Sequence, residues 1–471
     1  MYSNNEKKDE SKEKEIDESK RVNEKDNDNM KQEENLSKNT NIDDELPKKA
    51  PEQQTLILEQ FEEKEISEEK QVEKQITRST MDKDKKPLAS MVENEDKRKY
   101  TAKKPLEEKQ DGNFNVSIME RERLLKNFKV LNKDLYLKIL AKVLYNKKNY
   151  FCELECKIFD DSYYKYYKKE EISDIDVFCI KFEEDLTCIK AGFECKSTVR
   201  EGVDEILKLK GTQEYVGLNY AGLLKKRVAN NVRLVANKLK IELYDEDEIK
   251  RKVGSLVPDF ENKVQKETDL YSLRMSIENE IKSKSKGIIS YMKSDYWTNE
   301  PYQNINTLVR GIEHVSNIKE LYVYQKRYLL IKISLLLSIS FLEIVSYIVR
   351  SNYSQAGQVA LDQLFGGAVL RREKERTFDL ISQEIGKKMH PYPYYTENYL
   401  SIIHWFMQEL EGASLVPLCI EEIQKCFLMG IDMKSVRDKY SDFTIKLSKD
   451  IIRFTSKISK EKGILNYIYE I

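Results

Sequence analysis

The chain has 471 residues, of which 35% are charged, yet its formal net charge is −1. That length accommodates two or three domains, and the near-neutral balance excludes a global basic field as the means of holding nucleic acid. No glycine-rich phosphate loop ending in lysine is present, which argues against an NTPase motor.

Residues 1–115 are dense in Glu, Lys, Asp, Asn and Gln and poor in aromatics. Such a composition cannot bury enough apolar surface to offset ordering entropy, so a disordered charged arm is expected. Its first residues are polar, so no signal sequence is expected. The apolar island Leu56-Ile57-Leu58-Glu59-Gln60-Phe61 reads as a helix-prone accident rather than a docking motif, and the mixed charge makes the arm a poor grip on DNA.

Order is expected from Val116. Helical periodicity runs over 118–130 and 135–144, the second carried by Leu135, Leu137, Ile139, Leu140, Val143 and Leu144. Residues 150–159 alternate as a strand, and Tyr163 to Tyr167 read as a polar aromatic hairpin or loop. Two further strands follow, EISDIDVFCIKF and CIKAGFECK, with Glu183, Glu184 and Asp185 as the turn. A short helix is expected over 201–210, stopped by Gly211, then a strand over 214–220. A longer amphipathic helix over 223–239 and a last strand over 241–244 complete the segment. Five of the seven cysteines fall between 152 and 195 in apolar, strand-like contexts, as reduced core residues of a cytoplasmic protein do. Their spacing matches no zinc finger.

In an extended strand side chains alternate, so Glu194 and Lys196 share one face of their strand while Phe193 and Cys195 share the other. Asp176 is likewise bracketed by Ile175 and Val177, so two adjacent strands can bring Asp176, Glu194 and Lys196 to one edge. Two carboxylates and an ammonium on rigid strands suit a hard divalent cation and a phosphodiester. An acid, a hairpin and then Glu-x-Lys resembles the PD-(D/E)xK, restriction-endonuclease-like superfamily, over roughly a quarter of the chain. The proline that usually precedes the acid is replaced here by Ile175. The resemblance implies a metal-dependent endonuclease in which Asp176 and Glu194 hold Mg²⁺ or Mn²⁺ and Lys196 orients or activates the attacking water. It also implies an α/β core with a mixed sheet flanked by helices, and a bacterial restriction or phage-defence setting. A further acid often joins such a site from the preceding helix. That helix offers only Asp134 at its start, so attention moves to Glu153 and Glu155, of which Glu153 is preferred; Asp174 is the alternative to Asp176.

Lys226, Arg233 and Lys240 recur every seven residues, which on one helix makes a phosphate-contacting stripe or an ordinary solvated face. From 256 onward the pattern is helical almost throughout, with helices expected over 258–294, 303–318, 319–350, 372–387, 396–411 and 435–460. His314, His390 and His404 are isolated there and form no constellation. Residues 329–349 are long and apolar enough to span a membrane, but Lys332 and Glu343 interrupt them. Gln325, Lys332, Glu343, Ser346 and Arg350 fall on one stripe, as in a buried bundle helix with one wet edge. A membrane is therefore not expected.

The organisation expected is a disordered arm (1–115), a nuclease-like α/β core (116–255) and an all-α domain (256–471). Nucleic acid, DNA first, is the expected partner, with self-association through the helical domain. The competing reading is a core of this fold without chemistry, serving as a nucleic-acid-binding or assembly module.

Overall fold

The computed structural model describes residues 116–127, 134–159, 171–198, 202–351, 355–461 and 463–465. The arm, its island at 56–61 and the aromatic loop at 163–167 lie outside the described residues. Two helices, α1 (Ile118–Asn127) and α2 (Leu135–Lys147), precede a single five-stranded sheet. Strands β1 (Phe151–Phe159), β2 (Glu171–Phe182) and β3 (Cys188–Lys196) form an antiparallel meander. Its second turn is pinned by Asp185, whose carboxylate accepts the Thr187 N–H at 2.8 Å.

After β3 the chain crosses over through α3 (Val203–Val216) to β4 (Tyr220–Lys225), which lies parallel to β3. A second crossover, α4 (Asn230–Leu239), leads to the parallel edge strand β5 (Glu242–Asp245). Here the structure departs from the sequence pattern. α3 runs through Gly211 and stops at Gly217, whose φ of +71° is the left-handed conformation that glycine adopts without strain. The strand expected at 214–220 is therefore mostly helix, and the first residues of the helix expected at 223–239 are strand. β4 reads as a continuous apolar run because it is buried on both faces, which removes the alternation that marks a half-exposed strand. Gly222 in β4 is required by close approach: a Cβ there would lie 2.5 Å from the ring of buried Phe193.

The sheet separates two apolar layers. Cys152, Leu154, Val177, Cys179, Phe193 and Cys195 face α2 and α5 (Glu246–Leu256). α5 starts with a capping box between Asp245 and Glu248. On the other face α3 and α4 cover Ala221 and Leu223, while Phe151, Ile175, Phe178, Ile180 and Phe182 merge into the core of the helical region. All seven cysteines are free thiols, and Cys152 and Cys179, paired across β1 and β2, bring their sulfurs to 3.2 Å.

The helical region begins with α6 (Phe260–Lys282) and α7 (Lys286–Lys293), where one long helix was expected. A 3₁₀ turn at Asp295–Trp297 follows and packs Trp297 against Phe178, ring centroids 4.9 Å apart. Next come α8 (Pro301–Asn317), α9 (Val323–Ser351), α10 (Ala356–Leu364) and α11 (Ala368–Ile385). The chain closes with α12 (Thr396–Gln408), α13 (Leu410–Ser414), α14 (Val416–Met429), α15 (Lys434–Lys439) and α16 (Asp442–Ser459). α10 and α14 lie outside every expected helix, and the last expected helix is broken between α15 and α16.

α9 is the axis of this region. By length and composition it could cross a membrane, but 94% of its most apolar window is buried against α8, α12, α14, α16 and the sheet. Of the polar stripe read as a wet edge, Arg350 is exposed, while the other four residues face protein. Lys332, 1% exposed, pairs with Glu153 of β1, and Glu343 pairs with Lys190 of β3 at 2.8 Å. Gln325 Nε2 donates to Glu280 of α6 at 2.8 Å. Gln325, Lys332 and Glu343 thus fasten an otherwise apolar helix to the sheet and to α6.

Candidate active site

The pairing of β2 with β3 ends at Val177 opposite Phe193, although both strands run on. Asp176, the next residue, turns its carboxylate into the gap this leaves. One oxygen, Oδ2, accepts the backbone N–H of Cys195 at 2.7 Å. The other, Oδ1, meets Lys138 Nζ of α2 at 2.7 Å. Phe193 and Cys195 belong to the α2-facing layer, so alternation directs Glu194 and Lys196 to the other side of β3. Glu194 and Lys196 form an ion pair with each other. Glu194 and Lys196 nevertheless lie near enough to Asp176 for its charge to act on both, where the parallel strands β3 and β4 end. Open α/β sheets receive ligands at that end.

The electrostatics are those of a crowded acidic pair. Burial, reinforced by the charge of Asp176 and opposed by Lys196, pushes the Glu194 carboxyl up to about 7. Burial disfavours the Lys196 charge, but Glu194 and Asp176 together hold the ammonium above its usual range. Lys138 is raised in the same way by Asp176 and Glu155 against its own burial.

Glu153 lies apart from this group. Its carboxylate is 4% exposed and is clasped by Lys293 of α7, at 2.7 Å, and by Lys332 of α9, on the side of the sheet away from Lys138. The reason is Glu155, whose φ of +60° breaks the alternation of β1. Glu153 and Glu155 do not share a face: Glu155 turns to α2 and meets Lys138 Nζ at 3.1 Å. Asp134 anchors rather than reaches, accepting the Ser197 N–H at 2.5 Å and tying the start of α2 to the end of β3. Asp174 is half exposed, 3.8 Å from Lys208 of α3.

Lys226, Arg233 and Lys240 do not make one helix stripe, because α4 spans only the middle of that interval. Lys226 is exposed just past β4, and its N–H donates to Lys196 C=O at 3.2 Å, so it stands at the rim of the acidic pair. Arg233 is paired with Asp245 at 2.9 Å and Glu248 at 3.0 Å. With Lys240 it lines a cleft of about 390 Å³ along β5. The three histidines are exposed, His314 on α8, His404 on α12 and His390 between α11 and α12.

Among the described residues no group of three or more His, Cys, Asp or Glu side chains forms a ready metal cage. Mg²⁺ does not need one, since it commonly takes one or two carboxylates and keeps water and phosphate oxygens for the rest. Lys138 is the site residue that pattern reading misses. Its signal is a pair of lysines, Lys138 and Lys142, four apart inside a helix that is otherwise apolar and buried. No family model, curated protein or solved structure matches this chain.

Proposed function

We propose that this chain is a divalent-metal-dependent phosphodiesterase acting on nucleic acid, DNA first, on a restriction-endonuclease-like core. The reading is carried by one observation: two buried carboxylates, Asp176 and Glu194, lie on neighbouring strands with Lys196 paired to Glu194, and burial, reinforced by the charge of Asp176, lifts Glu194 to about 7. Such a pair is stabilised by a cation. The order α2–β1–β2–β3–α3–β4, with the acid on β2 and Glu-x-Lys on β3, supports the architecture.

Asp176 and Glu194 would hold Mg²⁺ or Mn²⁺, which supplies charge neutralisation at the scissile phosphate and a bound water of lowered pKa. The Cys195 N–H fixes one oxygen of Asp176. Lys196 lies on the same strand as Glu194 and places its ammonium to orient the attacking water and offset charge growing on the phosphate. Lys226, at the rim, contacts a neighbouring backbone phosphate. Lys138 would have to release Asp176 Oδ1 for that oxygen to serve as a metal ligand.

A second reading rests on Lys138. Its ammonium already bridges Asp176 and Glu155, so both acids have a cationic partner without a metal. In that case the core serves as a binding or assembly module. Cleavage of supercoiled plasmid with Mg²⁺ or Mn²⁺ and an EDTA control separates the two. Metal-dependent nicking abolished by Asp176→Ala and by Lys196→Ala, each with unchanged helicity, supports the enzyme. Absence of nicking together with no calorimetric Mn²⁺ binding overturns it in favour of the module.

A further inference from the structure

Between Glu214 and Glu242 the chain carries no acid, while Lys225, Lys226, Arg227, Arg233, Lys238 and Lys240 all fall there. Two of these cations are committed to the fold. Lys225 is 1% exposed and pairs with Glu205, and Arg233 is held by Asp245 and Glu248. Lys226, Arg227, Lys238 and Lys240 are exposed and make no ion pair among the described residues. α4 runs through this stretch and buries Val232 and Ala236 against β4 and α3. At 100° per residue Asn230, Asn231, Leu234, Asn237 and Lys238 share an arc of ~120° on the opposite side. All five are exposed, Leu234 at 72%. Asparagine is a weak helix former, and an uncovered leucine adds nothing to a core, so folding does not account for this face.

Its chemistry matches a DNA groove. An asparagine amide offers the donor and acceptor that fit the adenine edge, an apolar side chain packs on the thymine methyl, and lysine and arginine hold phosphates. A helix fits the major groove of B-form DNA, whereas the deep, narrow major groove of A-form RNA shuts side chains out. Position agrees with chemistry. α4 follows β4 after a short turn, so it starts at the end of the sheet where Glu194 and Lys196 stand, and the Lys226 N–H donates to the Lys196 carbonyl there. Asn230, Asn231 and Leu234 lie in the first half of α4, the half with which a recognition helix meets base edges.

We propose that α4 is a base-reading helix that enters the major groove of a DNA duplex. Lys226 and Arg227 hold backbone phosphates beside the Asp176–Glu194 region, and Asn230, Asn231 and Leu234 face base edges. The inference rests on the nucleic-acid reading above and names the element that selects the sequence; it needs DNA binding and not cleavage.

Fluorescence anisotropy of a labelled mixed-sequence DNA duplex, titrated with the full chain in EDTA over a range of salt concentrations, tests the grip. Lys226→Ala with Arg227→Ala is expected to weaken binding and to reduce the salt slope by about 2, at unchanged helicity because both positions are exposed. An RNA duplex of the same sequence is expected to bind more weakly than the DNA. Selection from a duplex pool with a randomised centre tests the reading of bases: the wild type enriches a preferred sequence, and Asn231→Ala with Leu234→Ala changes or abolishes it. Wild type that binds DNA while the first variant keeps its affinity and salt slope overturns this inference alone. So does an enriched sequence that survives the second variant, or RNA held as tightly as DNA. Wild type that binds neither duplex overturns the nucleic-acid reading together with it.

Discussion

Replacing Glu153 by glutamine separates a structural acid from a catalytic one. The carboxylate sits between Lys293 and Lys332, and both ammoniums are shielded from solvent, Lys332 at 1% exposure. Burial disfavours the Glu153 charge, yet the two lysines hold its pKa well below the carboxylate range. Lys332 is pushed the other way, below the usual ammonium range, by burial together with Lys293 and Arg274, so Glu153 is what permits its charge. Glu153→Gln leaves two cations facing each other in an apolar setting, and breaking a buried pair in this way costs about 3–5 kcal/mol. Lys293 keeps a second partner, Glu278 at 3.7 Å, so most of that cost falls on Lys332. Lys332→Met should then cost only about 1 kcal/mol, because Glu153 retains Lys293 and the methionine packs in the bundle. Combining the two should recover stability, with a coupling of about 2 kcal/mol or more. The assay is urea unfolding of the full chain followed by circular dichroism and by the fluorescence of Trp297 and Trp405, whose coincidence tests two-state behaviour. A loss under about 0.5 kcal/mol for Glu153→Gln, or additive single substitutions, would refute the assignment. Loss of metal-dependent nicking at unchanged stability would do the same.

Two other outcomes follow from the charged groups. Lys138→Met removes the ammonium on Asp176 and is expected to lower the melting temperature in EDTA while making it rise with Mn²⁺ more than in the wild type. The rise corresponds to about 2.7 kcal/mol when Mn²⁺ exceeds its dissociation constant a hundredfold; a melting temperature that ignores Mn²⁺ would show that Asp176 and Glu194 hold no cation. The acid limb of stability should be steep. Burial disfavours the Glu267 charge, but Lys425 and Lys142 outweigh it and hold the pKa near 2 against an unperturbed 4.5. Its stabilisation, about 3 kcal/mol, is complete above 4.5 and lost as pH falls from 4.5 toward 2. Glu194 acts with the opposite sign: its folded value of about 7 lies above 4.5, so its contribution is lost as pH rises between those values. Urea midpoints at pH 7, 4.5 and 3 check this, and Glu267→Gln should flatten the fall below 4.5.

The sequence made some of this legible for physical reasons. β2 and β3 announced themselves because turn residues bounded two apolar segments, and the Asp185 turn sits where the acidic cluster placed it. Asp176 and Glu194 were readable because a carboxylate inside an apolar strand needs a reason. β4 was not, since a strand covered on both faces has no alternation to set it apart from a helix. Gly211 misled because glycine is tolerated in a helix whose surface is open at that point, and the true stop lies six residues on at Gly217. The exchange of Glu153 for Glu155 hangs on one left-handed residue, and no side-chain pattern announces a single φ. The partners of Lys332 and Glu343 were invisible because they lie on strands more than a hundred residues earlier.

The merging of the sheet's apolar face with the core of the helical region has a consequence for how this protein can change over generations. Detached at the turn between α5 and α6, the strands would present Phe151, Phe178, Ile180 and Phe182 to water, with Glu153 stripped of both lysines. A strand-bearing segment therefore cannot be traded between lineages by recombination at that turn. Whatever chemistry the strands carry is inherited together with α9, and drift in Lys332 or Glu343 is answerable to residues in β1 and β3.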